Sequence, residues 1–406
     1  MIAERPAHAQ FLILADESAH WRIAGLRQLD RVILALTEFA GNSGDEPTIE
    51  IVVFWKPEIP MAARWLPQPP RINGTQLNQR LDAVESGARI LSTRLFVDRN
   101  GLANFLQTAP VMKLDHSILE PEKSWENLFE QFRRSCPTYG DDHGWHLLKD
   151  RSDLNKCTRK FLNDAGKPQD GMVSRFLNRP ISRLVTRGLL KYPISPAAWT
   201  IAIFILPLLA SAFLLRGDYA SVVAGAALFQ LYSILDGCDG EIARAKYLES
   251  ARGARLDDFF DTLGSLLFVI ALGFGLARAR ASDLYAGEGI LCAIVIATNE
   301  WLLRSAQSSI DPGPTGLAPT LYPRHRGLVQ NSGLLLMGEN FVHWLIQLTK
   351  RDVAIFSFLV LALVNLPQWI LHLWLAVAAL TLVLSGIARF RVGADRGALG
   401  PPKSRS

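Results

Sequence analysis

The chain has 406 residues, 49% of them hydrophobic, and a formal net charge of +5. That length leaves room for two or three domains, and the hydrophobic share is high for a purely soluble protein. The mild positive charge gathers at the borders of apolar runs, which fits membrane topology and contact with anionic lipid and speaks against nucleic acid as a partner.

Met1 to Gln10 lacks a basic region followed by an apolar run, so no signal peptide opens the sequence and the first ~190 residues are expected to stay in the cytoplasm. Short apolar runs, FLILA from Phe11, IEIVVFW from Ile49 and RILSTRLFV from Arg89, alternate with the helical pattern AGLRQLDRVILALTEFA from Ala24. Strand and helix in alternation predict an α/β layer with a mostly parallel sheet over residues 1–165. Its first loop reads ADESAHWRI. A phosphate-gripping turn needs glycines whose backbone approaches the anion, but here Asp16, Glu17 and Ser18 precede any glycine and the acidic pair repels a triphosphate. The stretches IAGLRQLDRVILAL and LFVDRNGLANFL nonetheless resemble sugar-nucleotide and inositol-phosphate cytidylyltransferase domains. The resemblance implies a Rossmann-like nucleotidyltransferase fold, and the missing glycine-rich loop makes a degenerate domain the expectation.

The four cysteines, Cys136, Cys157, Cys238 and Cys292, show neither zinc-ligand spacing nor a disulfide framework and read as reduced thiols. Between Lys167 and Pro196, apolar Val173, Phe176, Leu177, Ile181, Leu184, Val185 and Leu189 recur at helical spacing beside an every-fourth row of Arg175, Arg179, Arg183 and Arg187. This pattern over residues 166–194 fits an amphipathic helix lying in the membrane interface, or a helix packed on the α/β domain.

Residues 195–406 carry six candidate spans, near 197–215, 220–235, 258–276, 284–303, 353–364 and 370–387. The fifth is short and is set off from the sixth only by NLPQW. Arg244, Lys246, Arg252, Arg255, Arg304, Arg324, Arg326, Lys350, Arg351 and the basic tail fall on one side, against Arg216, Arg278 and Arg280 on the other. The richer side is expected to be cytoplasmic, which puts both termini there.

The stretch DGCDGEIARAKYLESARGARLDDFFD, Asp236 to Asp261, concentrates carboxylates at the ends of two spans. An ionised Asp at the centre of a membrane helix costs ~2.5–3.5 kcal/mol, so span-end placement and a compensating cation are both expected. Asp236 and Asp239 are three apart and Asp257 and Asp261 four apart, so each pair shares a helix face. Facing each other, such ends offer hard oxygen ligands suited to Mg²⁺ or Mn²⁺. Asp258 points about 100° away from Asp257 and is left out. Glu300 reads as an interfacial carboxylate, and His325 and His343 as structural or surface residues. Intramembrane carboxylates also mark the ion pathways of transporters, but those lie near span centres.

The full spacing, Asp236-x2-Asp239-Gly240-x2-Ala243-Arg244-x8-Gly253-x3-Asp257-x3-Asp261, matches the signature of CDP-alcohol phosphotransferases at eight positions over 26 residues. KPQDGMVSRFLNRPIS and TKRDVAIFSFLVLALVNLPQWI further resemble the fused-domain branch that is similar to di-myo-inositol-phosphate-phosphate synthases. The resemblance implies a six-helix membrane enzyme that moves a phosphoalcohol group from a CDP-linked donor to a phosphate-bearing or lipid alcohol, releasing CMP. It implies that Asp236, Asp239, Asp257 and Asp261 hold a pair of Mg²⁺ or Mn²⁺ ions, that Gly240, Ala243, Arg244 and Gly253 shape the CDP site, and that Asp261 is the base for the acceptor hydroxyl. It also implies a homodimer. One departure is Ala197 after Pro196, where the family often has Asn. A first domain that makes the CDP donor itself remains the competing enzyme reading.

Overall fold

A computed structural model describes residues 8–41, 48–66, 75–78, 84, 88–98, 101–108, 124–136, 144–164, 167, 169–305 and 323–398. Two compact units emerge. The N-terminal unit comprises residues 1–165, 190–192 and 244–247, and the helical unit 166–189, 193–243 and 248–406.

In the N-terminal unit, strands β1 (His8–Ala15), β4 (Thr48–Trp55), β5 (Thr75–Asn78) and β6 (Arg89–Ser92) form one sheet in the order β5-β4-β1-β6. Every pairing in it is parallel, with Phe11 opposite both Ile51 and Arg89. The two central strands are near-continuous apolar runs, as a parallel sheet covered on both faces requires. Phe11 to Ala15 are all buried, as are Ile51 to Trp55. Short antiparallel pairs are made by β2 (Arg22–Ile23) with β3 (Leu26–Arg27) and by β7 (Leu95–Val97) with β8 (Trp145–Leu147). The run RILSTRLFV thus breaks at Thr93–Arg94 into two strands of different sheets. Helix α1 (Gln28–Gly41) packs Leu29, Val32, Ile33 and Leu36 into the core at the spacing that the sequence predicts. Helices α2 (Gly101–Thr108), α3 (Ser124–Ser135) and α4 (Asp153–Asp164) complete the unit. The unit has a parallel α/β layer.

The helical unit opens on a single π turn, Ser174–Asn178, continued by α5 (Arg179–Leu189). Helices α6 (Pro196–Ile203) and α7 (Ile205–Leu214) are one run of 19 residues broken at Phe204. Pro207 explains the break, because its ring displaces the carbonyl four residues earlier, at Ile203. There follow α8 (Tyr219–Lys246), α9 (Ala251–Arg280), α10 (Leu284–Ser305), α11 (Pro323–Ser332), α12 (Glu339–Thr349), α13 (Arg351–Leu363) and α14 (Gln368–Ala398). Rings at the centre interlock, Phe229 on Phe268 at 4.5 Å between centroids and Phe358 on Trp374 at 4.7 Å. Helices α9 and α10 approach through Gly273 and Gly289, where a Cβ on Gly289 would stand 2.8 Å from the Val269 carbonyl oxygen. Small residues at such a crossing let membrane helices pack backbone to backbone.

Five helical segments among the described residues are long and apolar enough to cross a bilayer: 196–214, 219–246, 251–280, 284–304 and 368–390. The chain is an integral membrane protein. The helix at the fifth of the six expected spans, α13, has only 13 residues and is not among these five. At 1.5 Å per residue it rises about 20 Å, short of ~30 Å of hydrocarbon. It stops at Val364, followed by Asn365 in the left-handed region (φ 61°) and Pro367, which cannot continue a helix.

Candidate functional site

The aspartates sit inside long helices rather than in a loop. Helix α8 runs on through Asp236 and Asp239 to Lys246, and α9 begins at Ala251, six residues before Asp257. Between them Tyr247 takes a left-handed conformation (φ 52°), and Ser250 caps α9 by accepting a hydrogen bond from the Gly253 N–H at 3.0 Å. The Ser cap satisfies a backbone donor that the first turn cannot. Gly253 therefore lies against Ser250 Oγ, which a Cβ there would approach to 3.2 Å.

The structure gathers three of the four predicted ligands. Asp236, Asp257 and Asp261 each bring a carboxylate oxygen within 4.8 Å of the other two. Asp239 is not one of that trio. Its Oδ2 accepts from Thr200 Oγ1 on α6 at 2.6 Å, and its Oδ1 accepts from the Gly240 N–H. Gly240, Ala243 and Arg244 follow on the last turns of α8, Ala243 and Arg244 buried. Asp258 stays out of the cluster, as its adjacency to Asp257 predicts, and its carbonyl accepts from Thr262 and from Arg304. Glu300 pairs with Arg304 one turn on, at 3.6 Å. His343 is half-buried on α12, and the side chain of His325 lies outside the described residues.

Two partners of Asp261 escape sequence reading. Tyr232 donates its hydroxyl to Asp261 Oδ1 at 3.1 Å. Arg351, at the start of α13, makes an ion pair with Asp261 Oδ2 and stands 3.9 Å from Asp236 Oδ2. Burial alone would weaken the Arg351 guanidinium's hold on its proton, but the Asp261 and Asp236 carboxylates override it and push its pKa up. In the sequence Arg351 is one of many basic residues at a span border, and only its position just before α13 singles it out.

The donor set fits a hard divalent cation. All ligand atoms are carboxylate oxygens, and Asp236 Oδ1 and Asp257 Oδ1 are buried without a hydrogen-bond partner among the described residues. A buried charged oxygen left bare is costly, and a metal ion is the group that satisfies several at once.

Residues 194–322 match the CDP-alcohol phosphatidyltransferase family, and the whole acidic signature falls inside that stretch. Over these residues the chain is similar to CDP-alcohol phosphatidyltransferases. A protein of Archaeoglobus fulgidus called bifunctional IPC transferase and DIPP synthase is 27% identical over 279 residues, which cover 66% of this chain and 50% of that protein. One of the same name in Rubrobacter xylanophilus is 40% identical over 149 residues, 36% of this chain and 34% of its own length. A third, in Thermococcus kodakarensis, is 35% identical over 160 residues, 38% of this chain and 36% of its own. This chain therefore spans about half or less of the length of these curated relatives.

Proposed function

We propose that residues 194–322 form a CDP-alcohol phosphatidyltransferase domain that transfers a phosphoalcohol group from a CDP-linked donor to an acceptor hydroxyl and releases CMP. The observation that carries this reading is the convergence of Asp236, Asp257 and Asp261, with two bare buried oxygens, inside the matched stretch. A divalent ion there, Mg²⁺ or Mn²⁺ and a pair of them by resemblance, would neutralise the charge of the diphosphate. Asp236 and Asp257 hold the charge that binds it, joined by Asp239, which Thr200 orients. Gly240, Ala243, Arg244 and Gly253 line the CDP side, and the Arg244 guanidinium suits a phosphate oxygen.

In the transfer the acceptor oxygen bonds to the phosphorus that carries the donor alcohol. The bond from that phosphorus to the CMP oxygen breaks, and CMP leaves with the electron pair. The acceptor proton passes to Asp261, whose orientation Tyr232 and Arg351 fix. The relatives' names and the resemblance point to inositol phosphates as the substrate class. The test is to supply the purified protein with labelled CDP-inositol, CDP-glycerol or CDP-diacylglycerol and a panel of acceptors. CMP release with one pair supports the reading, and none with any pair rejects it.

The N-terminal unit, residues 1–165, takes the part of a degenerate nucleotidyltransferase-like domain with a Rossmann-like sheet. Segment 166–194 lies in the interface and touches lipid through Phe176, 82% exposed, and Leu184, 67% exposed. Residues 195–406 make up the membrane domain, with both termini cytoplasmic on the positive-inside argument. A homodimer rests on resemblance and is checked by native mass spectrometry from detergent.

A further inference from the structure

The signature leaves position 241 open, and there α8 carries a glutamate that the transfer reaction does not use. Glu241 is 1% exposed, and both its oxygens are bonded. Oε1 accepts from Ser182 Oγ at 2.7 Å and from Arg179 Nη1 at 3.3 Å, while Oε2 accepts from Thr186 Oγ1 at 2.7 Å. All three donors lie on α5, at spacings of three and four that place them on one face. Arg179 continues the chain of bonds. Two 2.9 Å contacts join it to Asp170, and Nη1 also donates to the Gly237 carbonyl at 3.3 Å. Gly237 leaves room for this, since a Cβ there would stand 2.9 Å from Nη1.

The inward face of the π turn and α5 is thus polar, with Asn178, Ser182 and Thr186 buried, and the outward face carries the apolar Phe176, Ile181 and Leu184. The same segment reaches the residues that flank Arg351. Asp352 Oδ2 accepts from the Ser174 N–H at 2.6 Å, and Lys350 donates to the Gln169 carbonyl at 2.7 Å. One strap, residues 169–186, therefore ties α8 to the start of α13.

Stability alone does not call for this arrangement, because a buried ionic network is often no more stabilising than apolar packing of the same volume. What it supplies is direction. At about 100° per residue, Glu241 lies roughly 200° round α8 from Asp239 and 140° from Asp236, so it faces away from the acidic cluster and is no ligand of it. Three bonds on the far side of a helix fix its rotation, and the rotation of α8 aims Asp236. We propose that Glu241 is a positioning residue whose anchorage to α5 turns Asp236 toward Asp257 and Asp261, an inference that rests on the metal-centred reading above.

The test uses the full chain in lipid nanodiscs, with Mn²⁺ binding followed by electron paramagnetic resonance and no turnover required. Glu241→Gln should weaken Mn²⁺ about ten-fold, the lower end of what outer-shell partners of metal ligands contribute. The double variant Ser182→Ala/Thr186→Val removes two of the bonds and leaves every charge in place. It should weaken Mn²⁺ by at least several-fold on the same grounds, and it carries the test if Glu241→Gln does not fold. Unchanged affinity in both would overturn the proposal, and so would a loss in Glu241→Gln alone, which would mark Glu241 as a distant charge rather than an anchor. A wild-type protein that binds no Mn²⁺ removes the metal reading and the proposal with it, whereas tight wild-type binding with unaltered variants removes the proposal only.

Discussion

Three carboxylates share the site, yet their surroundings assign them different work. Asp261 is gripped from both sides, by Tyr232 on Oδ1 and Arg351 on Oδ2, whereas Asp236 and Asp257 each keep a buried oxygen bare. A carboxylate held in one orientation suits proton transfer, and bare oxygens suit an ion. Asp261→Asn should therefore keep most of its affinity for the CDP donor and slow the chemical step by roughly 10²- to 10⁴-fold. Asp236→Asn should weaken donor binding, since in the proposed reaction the diphosphate would be held through the metal. Asp258→Asn should do little, because Asp258 points about 100° away from Asp257 on α9 and lies outside the cluster. Donor affinity and single-turnover rate for the three variants decide this, and an Asp258→Asn variant as damaged as Asp261→Asn would refute the assignment. Chelation belongs to the same scale. CMP release should vanish in EDTA and return with Mg²⁺ or Mn²⁺; undiminished release would remove the metal.

Element by element, α5 shows what pattern alone leaves open. Its apolar and basic rows are plain in the sequence, and they fit either an interfacial helix or one packed on the α/β layer. The structure adds that Asn178, Ser182 and Thr186 form the buried face, within the helical unit, while Phe176 and Leu184 stay exposed. An apolar side chain left exposed on a helix of a membrane domain is expected to lie in the acyl boundary. A nitroxide label at Phe176 in nanodiscs should show high accessibility to oxygen and low accessibility to a water-soluble nickel chelate, and the reverse ranking would place this face in water. The acidic signature was legible because its members lie on two consecutive helices at fixed spacing. Thr200, Tyr232 and Arg351 were not, because each meets an aspartate through tertiary packing, over separations of 39, 29 and 90 residues. Helix α13, at the fifth expected span, ends early for a local reason: Asn365 turns left-handed and closes it after 13 residues.

At the scale of the whole molecule the question is whether the chain makes its own CDP-linked donor. Parallel sheets bind nucleotides in the crevice beyond the carboxyl ends of their strands, which here lies past Ala15 at the end of β1. That place is filled by the protein's own polar groups. Asp16, 3% exposed, pairs through Oδ2 with Arg94 Nε at 2.5 Å and accepts the Ser18 N–H on Oδ1 at 2.8 Å. Ser18 and Thr93 share a 2.7 Å hydrogen bond, and Glu17 stands 3.5 Å from the same Arg94 guanidinium. A triphosphate entering there would have to displace an ion pair and approach two carboxylates, with no glycine-lined backbone to receive it. The basic residue at the loop is already spent on Asp16. Full-length protein given CTP, Mg²⁺ and inositol phosphate should accordingly release no pyrophosphate above background, while the same preparation supplied with CDP-inositol and an acceptor releases CMP. Pyrophosphate and a CDP-linked product formed at a rate matching CMP release would show that the turn, closed as it is, opens to the nucleotide, and the N-terminal unit would then have to be counted as a second active site.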